Sequence, residues 1–92
     1  MCMKRVEVKF NNGLNMLACV RIVNIVSKFR SRVWLQKDDK VADSRSVIEL
    51  LSLGIGRGDR VNLFADGEDE DKVLDALQKF FADSETMNKI TL

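Results

Sequence analysis

A chain of 92 residues is long enough for one domain and too short for two. Apolar residues make up 46% and charged residues 32%, the balance of an ordinary globular protein. With 15 basic and 14 acidic side chains the net charge is +1, which excludes the basic footprint of a dedicated nucleic-acid binder, and no apolar run nears the roughly 18 residues that span a bilayer.

In chain order, Met1 to Arg5 has no apolar segment after its charges, so no signal peptide is expected; no membrane partner and a cytoplasmic location are expected. Val6, Val8 and Phe10 alternate with Arg5, Glu7 and Lys9, the period of a strand with one wet face. Asn11-Asn12-Gly13 breaks that pattern as a loop. Between Leu14 and Phe29, Cys19, Ile22, Val23 and Val26 fall on one face of a helix, and Asn15 stands where an N-cap belongs. Val33 and Leu35 then alternate with Trp34 and Gln36 in a second strand. Asp38-Asp39 turns it into a short third strand near Lys40 to Asp43.

Ser46 followed by Glu49 has the spacing of a capping box at the start of a short second helix. A loop marked by Gly54, Gly56 and Gly58 leads to a last strand from Arg60 to Ala65. Glu68 to Asp71 places negative charge at a helix start, and Val73, Leu74, Leu77, Phe80 and Phe81 give that helix a broad apolar face. The expected domain is 1–85, with 86–92 a loosely held tail. The order β-α-β-β-α-β-α predicts an α+β open-faced sandwich, a four-stranded antiparallel sheet with three helices on one face.

The chain contains no histidine, the side chain best suited to proton transfer and metal binding near neutral pH. Cys2 and Cys19 are too far apart for a Cys-x-x-Cys pair, and reduced thiols are expected, with Cys19 in the core. No enzyme activity, metal or cofactor is expected. The carboxylates at 66–71 lack the spacing of a calcium loop, and Arg57-Gly58-Asp59 is explained as a turn.

The element order and several strings resemble the HPr family, small phosphocarriers of the bacterial phosphoenolpyruvate:sugar phosphotransferase system. The strings are Asn12-Gly13-Leu14, Ser27-Lys28-Phe29, Ser52-Leu53-Gly54-Ile55-Gly56 after Ser46, and Ala65-Asp66-Gly67 before an acidic helix start. They keep the family's spacing from about Val6 to Phe81. The resemblance implies an HPr-like fold, and in the family the motif Gly-Leu-His-x-Arg-Pro-Ala carries phosphate on its histidine. Here the histidine is replaced by Asn15, the arginine by Leu17 and the proline by Ala18. An amide nitrogen with a delocalised lone pair forms no transferable phosphoramidate, so the chain is expected to be a histidine-less, Crh-like paralogue with a regulatory or adaptor role.

The resemblance also makes Ser46 the candidate for regulatory phosphorylation, with an HPr kinase/phosphorylase and a catabolite-control repressor or other regulator as candidate partners. A helix cap fully explains Ser46 and Glu49 without phosphorylation, and a phosphate there would meet the Glu49 carboxylate within one turn. Partners are expected to dock on the first two helices through Met16, Leu17, Val20, Val47, Ile48 and Leu51. Trp34 and Phe64, facing away from the core on adjacent strands, are expected to stack and to offer a second interface, with a homodimer as its candidate product. The competing reading is a structural or assembly module without phosphate chemistry.

Overall fold

The computed structural model describes residues 1–89. Four strands form one antiparallel sheet in the order β1-β4-β2-β3. These are β1 (Cys2–Glu7), β2 (Arg32–Lys37), β3 (Lys40–Asp43) and β4 (Arg60–Asp66). The helices α1 (Met16–Val26), α2 (Val47–Ser52) and α3 (Glu70–Ala82) cover one face, and a short α4 (Ser84–Asn88) follows. Among the described residues no helix is long and apolar enough to cross a membrane.

Alternation decides which side chains turn towards the helices. Val33 and Leu35 from β2, and Val61, Leu63 and Ala65 from β4, are buried under them. Ala18, Cys19, Ile22 and Val26 of α1 meet this layer, as do Val73, Leu74, Leu77 and Phe81 of α3. Ala18 is therefore a core residue that the helical spacing passed over, whereas Val23 is only half-buried. Fully burying one such aliphatic side chain stabilises the fold by roughly 1.5–3 kcal/mol.

Three features depart from expectation. Strand β1 runs earlier than Val6 to Phe10, because Cys2 through Glu7 pair with Ala65 through Arg60 of β4. Val8 and Phe10 are still buried, but beyond the ladder's end. The capping box closes on one side only. Ser46 Oγ accepts from Glu49 N at 3.2 Å, but Ser46 N donates to the Asp43 carbonyl, so the Glu49 carboxylate accepts from Asp43 N instead. Within the segment expected to be a loose tail, α4 buries Met87 and Asn88 Oδ1 accepts from Asn11 N at 2.6 Å. Residues 90–92 of that segment lie outside the described residues.

Asp69 stands at the N-cap of α3 without capping it. Its carboxylate accepts instead from the Ser31 hydroxyl, Arg30 N and Ser31 N, fastening the α1–β2 connection to the β4–α3 turn. The Ser31 hydroxyl, followed by the Arg30 N–H, holds the Asp69 carboxyl below the usual carboxylate range. A carboxyl whose folded pKa lies below its unfolded value stabilises the fold at neutral pH. That contribution is lost as pH falls from the unfolded pKa through the folded one. Asp69→Asn is therefore expected to lower Tm at pH 7 and to flatten the fall in Tm between about pH 5 and pH 2. Thermal melts of both proteins across that range check it; equal slopes would contradict it.

Candidate functional site

The first turn of α1 is set by the loop before it. Gly13 N donates to the Phe10 carbonyl at 2.9 Å, and Leu14 N donates to the Ile55 carbonyl at 3.0 Å. Gly13 has φ +63° and lies against the backbone of Ile55 and Gly56, where a Cβ would run into the Ile55 carbonyl oxygen. The facing loop is fixed in turn by Asp59, whose carboxylate accepts from Gly56 N at 2.8 Å and pairs with Lys37 at 2.9 Å. The Gly56 N–H and then Lys37 hold its carboxyl below the usual range.

Asn15 has extended backbone (φ −75°, ψ −179°), and its side-chain oxygen accepts from Ala18 N at 2.9 Å. It is the N-cap of α1, as its position predicts. This bond needs an N–H at position 18. A proline there, as in the HPr motif, would have none to donate. Asn15 and Ala18 are thus a matched pair, and the two departures from the motif are physically coupled. Asn15→Ala is expected to cost about 1 kcal/mol in this chain and close to nothing when Ala18 is already proline. Denaturant melts of the four variants of that cycle check the coupling; a cost independent of position 18 would contradict it.

The first helical turn reads Met16-Leu17-Ala18-Cys19, so it brings no cation to residue 15. Asparagine there has no nucleophilic nitrogen and, among the described residues, no hydrogen bond from a cationic side chain. The thiols do not supply a nucleophile either. Burial pushes the Cys19 thiol up to about 11. Cys2 is pushed up to about 12 because its thiol donates to the Glu70 and then the Asp71 carboxylate, at 2.7 and 3.1 Å. Cys2, Glu70 and Asp71 are the one group of potential metal ligands brought together among the described residues. In the geometry present they share the thiol proton.

Of the six residues expected to dock partners, Ile48, Met16 and Val20 are exposed, by 80%, 58% and 38%. Leu17, Val47 and Leu51 are half-buried and pack against the core. Leu17 and Val20 also border a groove that runs beside Arg21 and Lys28 to Phe80 of α3, a side of α1 that the expected patch did not include. Phe80 carried no docking signal in the sequence because its spacing matched the core of α3. It is half-buried, with its ring 5.2 Å from Phe10.

Ser46 is half-buried at the start of α2, where its Oγ accepts from Glu49 N. The Glu49 carboxylate is drawn towards Asp43 N. On the opposite side of the sheet Trp34 and Phe64 are register partners and stack, with centroids 5.5 Å apart and planes 7° apart.

Comparison with known proteins gives these features a context. The family model described as "PTS HPr component phosphorylation site" matches residues 2–83. The HPr-like protein Crh of Halalkalibacterium halodurans is 35% identical over 77 residues, 84% of this chain and 92% of that protein. The solved structure of HPr-C-His from Thermoanaerobacter tengcongensis superposes with a TM-score of 0.87 at 32% identity, covering 100% of both chains. Crh of Bacillus subtilis, solved as a dimer with a swapped domain, gives a TM-score of 0.74 at 33% identity, covering 91% of this chain and 97% of that one.

Proposed function

The chain belongs to the HPr family, and from that premise we propose that it is a cytoplasmic regulatory or adaptor protein of the phosphotransferase system that carries no phosphate on residue 15. The observation that carries this reading is Asn15, which stands at the phosphocarrier position with its side chain committed to Ala18 N. With no histidine in the chain, no neighbouring side chain substitutes for it. The likeness to Crh proteins supports a regulatory role rather than a catalytic one.

In this reading partners dock on the outer sides of α1 and α2. Met16, Val20 and Ile48 make the exposed contacts, and Leu17, Val47 and Leu51 support them from beneath. Ser46 is the acceptor for regulatory phosphorylation. A phosphate there would sit beside the free N–H groups at the start of α2. Glu49 keeps its negative charge within one turn of that phosphate, although its carboxylate is drawn towards Asp43 N.

Incubation with HPr kinase/phosphorylase and ATP tests the reading. Phosphoserine is expected at Ser46 and is expected to be absent from Ser46→Ala. No modification, together with a stable oligomer, would favour the second reading, an assembly module without phosphate chemistry. That second reading draws on the dimer of Bacillus subtilis Crh.

A further inference from the structure

The sheet's second face is uncovered, since the helices pack on the other. Its two central strands, β2 and β4, are matched residue for residue. Arg32 lies opposite Asp66, Trp34 opposite Phe64 and Gln36 opposite Asn62. Continuing the same face past that ladder, Asp38 and Arg60 line one groove with Gln36 and Asn62. Each level therefore joins two complementary side chains: a cation and a carboxylate, two aromatics, two amides, and again a cation and a carboxylate.

A two-fold axis running along the strands, midway between β2 and β4, exchanges those two strands. Two copies brought together about that axis place each residue of β2 on the register partner of its neighbour, contributed by the other copy. Arg32 then meets Asp66, Trp34 meets Phe64 and Gln36 meets Asn62, each pair twice, and the Asp38 turn comes towards Arg60. This is the self-complementarity an isologous interface requires. Two sheets facing each other about 10 Å apart can keep their strands within roughly 30° of alignment.

From this we infer that the open sheet face docks a second copy of this chain. The charges choose the occupant. Arg32, Arg60 and Asp38 have no ion-pair partner within 4.0 Å among the described residues, and the groove beside Trp34 contains Arg32 and Arg45 together with Asp43 and Asp66. A partner of one charge sign would leave Arg32 or Asp66 opposed, whereas the rotated copy sets each of them on the opposite sign, with Asp66, 3.6 Å from the Met1 ammonium, then shared between two cations. The apolar centre is the stacked pair itself; on the outer strands Met3 and Val41, exposed by 52% and 56%, come by register to lie on Asp43 and Arg5 of the other copy. Asn62 already accepts from Arg5 Nε at 3.1 Å, which leaves its NH2 to donate to the glutamine of the other copy.

The inference goes beyond the regulatory reading and is tested without any phosphorylation. Sedimentation equilibrium of the full chain, from roughly 10 µM to 1 mM, reads the dimer dissociation constant. Arg32→Glu alone and Asp66→Lys alone each oppose like charges twice and are expected to raise that constant at least about tenfold. The double variant Arg32→Glu/Asp66→Lys, and an equimolar mixture of the two single variants, restore opposite charges and are expected to recover it. Lys72→Glu, at an exposed position of α3 on the helical side, serves as a control that leaves it unchanged. A chain monomeric throughout, or a dimer indifferent to the reversals, would overturn the inference. Charge-reversed singles that fail to associate even when mixed, while remaining folded by circular dichroism, would overturn it as well.

Discussion

Gly13→Ala is expected to destabilise the protein by about 3 kcal/mol and to displace the start of α1. The left-handed backbone at φ +63° costs an alanine roughly 1–2 kcal/mol. The added methyl also meets the Ile55 carbonyl and the Gly56 backbone, which cannot rotate aside as a side chain would. Relief requires the α2–β4 loop to move. That loop is held by the Asp59 bond to Gly56 N and its pair with Lys37, so the strain spreads into both. A lower denaturant midpoint at unchanged m-value, with amide shift changes centred on residues 13–18 and 54–59, is the expected result. A change under about 0.5 kcal/mol, the range of ordinary surface substitutions, would contradict it.

The triple substitution Asn15→His/Leu17→Arg/Ala18→Pro is expected to turn a protein with no histidine acceptor into one labelled by enzyme I. The scaffold around residue 15 is present: the Gly13 loop, the N-cap position and the first turn of α1. What is missing is a nucleophilic ring nitrogen and a cation for the phosphate. A hydrogen bond to a charged group contributes roughly 1.5–3 kcal/mol. Asn15→His alone, with Leu17 still beside it, is therefore expected to be labelled about 10- to 100-fold more slowly than the triple variant. Initial rates of acid-labile labelling separate the two. Equal rates would mean that Leu17 and Ala18 have no bearing on phosphate binding.

Local periodicity made most of the fold legible in the sequence. The alternation of Val33, Leu35, Val61 and Leu63 identified the buried sheet face, and the spacing of Cys19, Ile22 and Val26 identified the buried stripe of α1. Asn15 was legible as a cap because the residue type and its place before an apolar stripe suffice. Contacts set by tertiary pairing were not. The β1 ladder begins at Cys2 because β4 is long enough to pair with it, which the polar and sulphur-containing start of the strand does not reveal. The Ser46–Glu49 spacing predicted a reciprocal box, but Asp43 sits close enough to take the Ser46 N–H and leave its own to Glu49.

The site was legible unevenly for the same reason. The loss of histidine and arginine needs only the sequence, whereas the burial of Leu17, Val47 and Leu51 depends on how α1 and α2 lie over the core. Met87 and Asn88 fall in a polar stretch with no period. Their packing against the body of the domain comes from the turn at Asp83, not from any repeating pattern. The Trp34–Phe64 stack was legible because an HPr-like strand order makes β2 and β4 neighbours.

In the proposed reading the first turn of α1 carries no phosphate, and Asn15 serves as its helix cap. The most direct measurement is the reaction of the purified chain with enzyme I and radiolabelled phosphoenolpyruvate, beside a histidine-containing HPr as positive control. The control is expected to take up acid-labile phosphate while this chain remains unlabelled at its unmodified mass. Acid-labile phosphate on this chain would contradict the account.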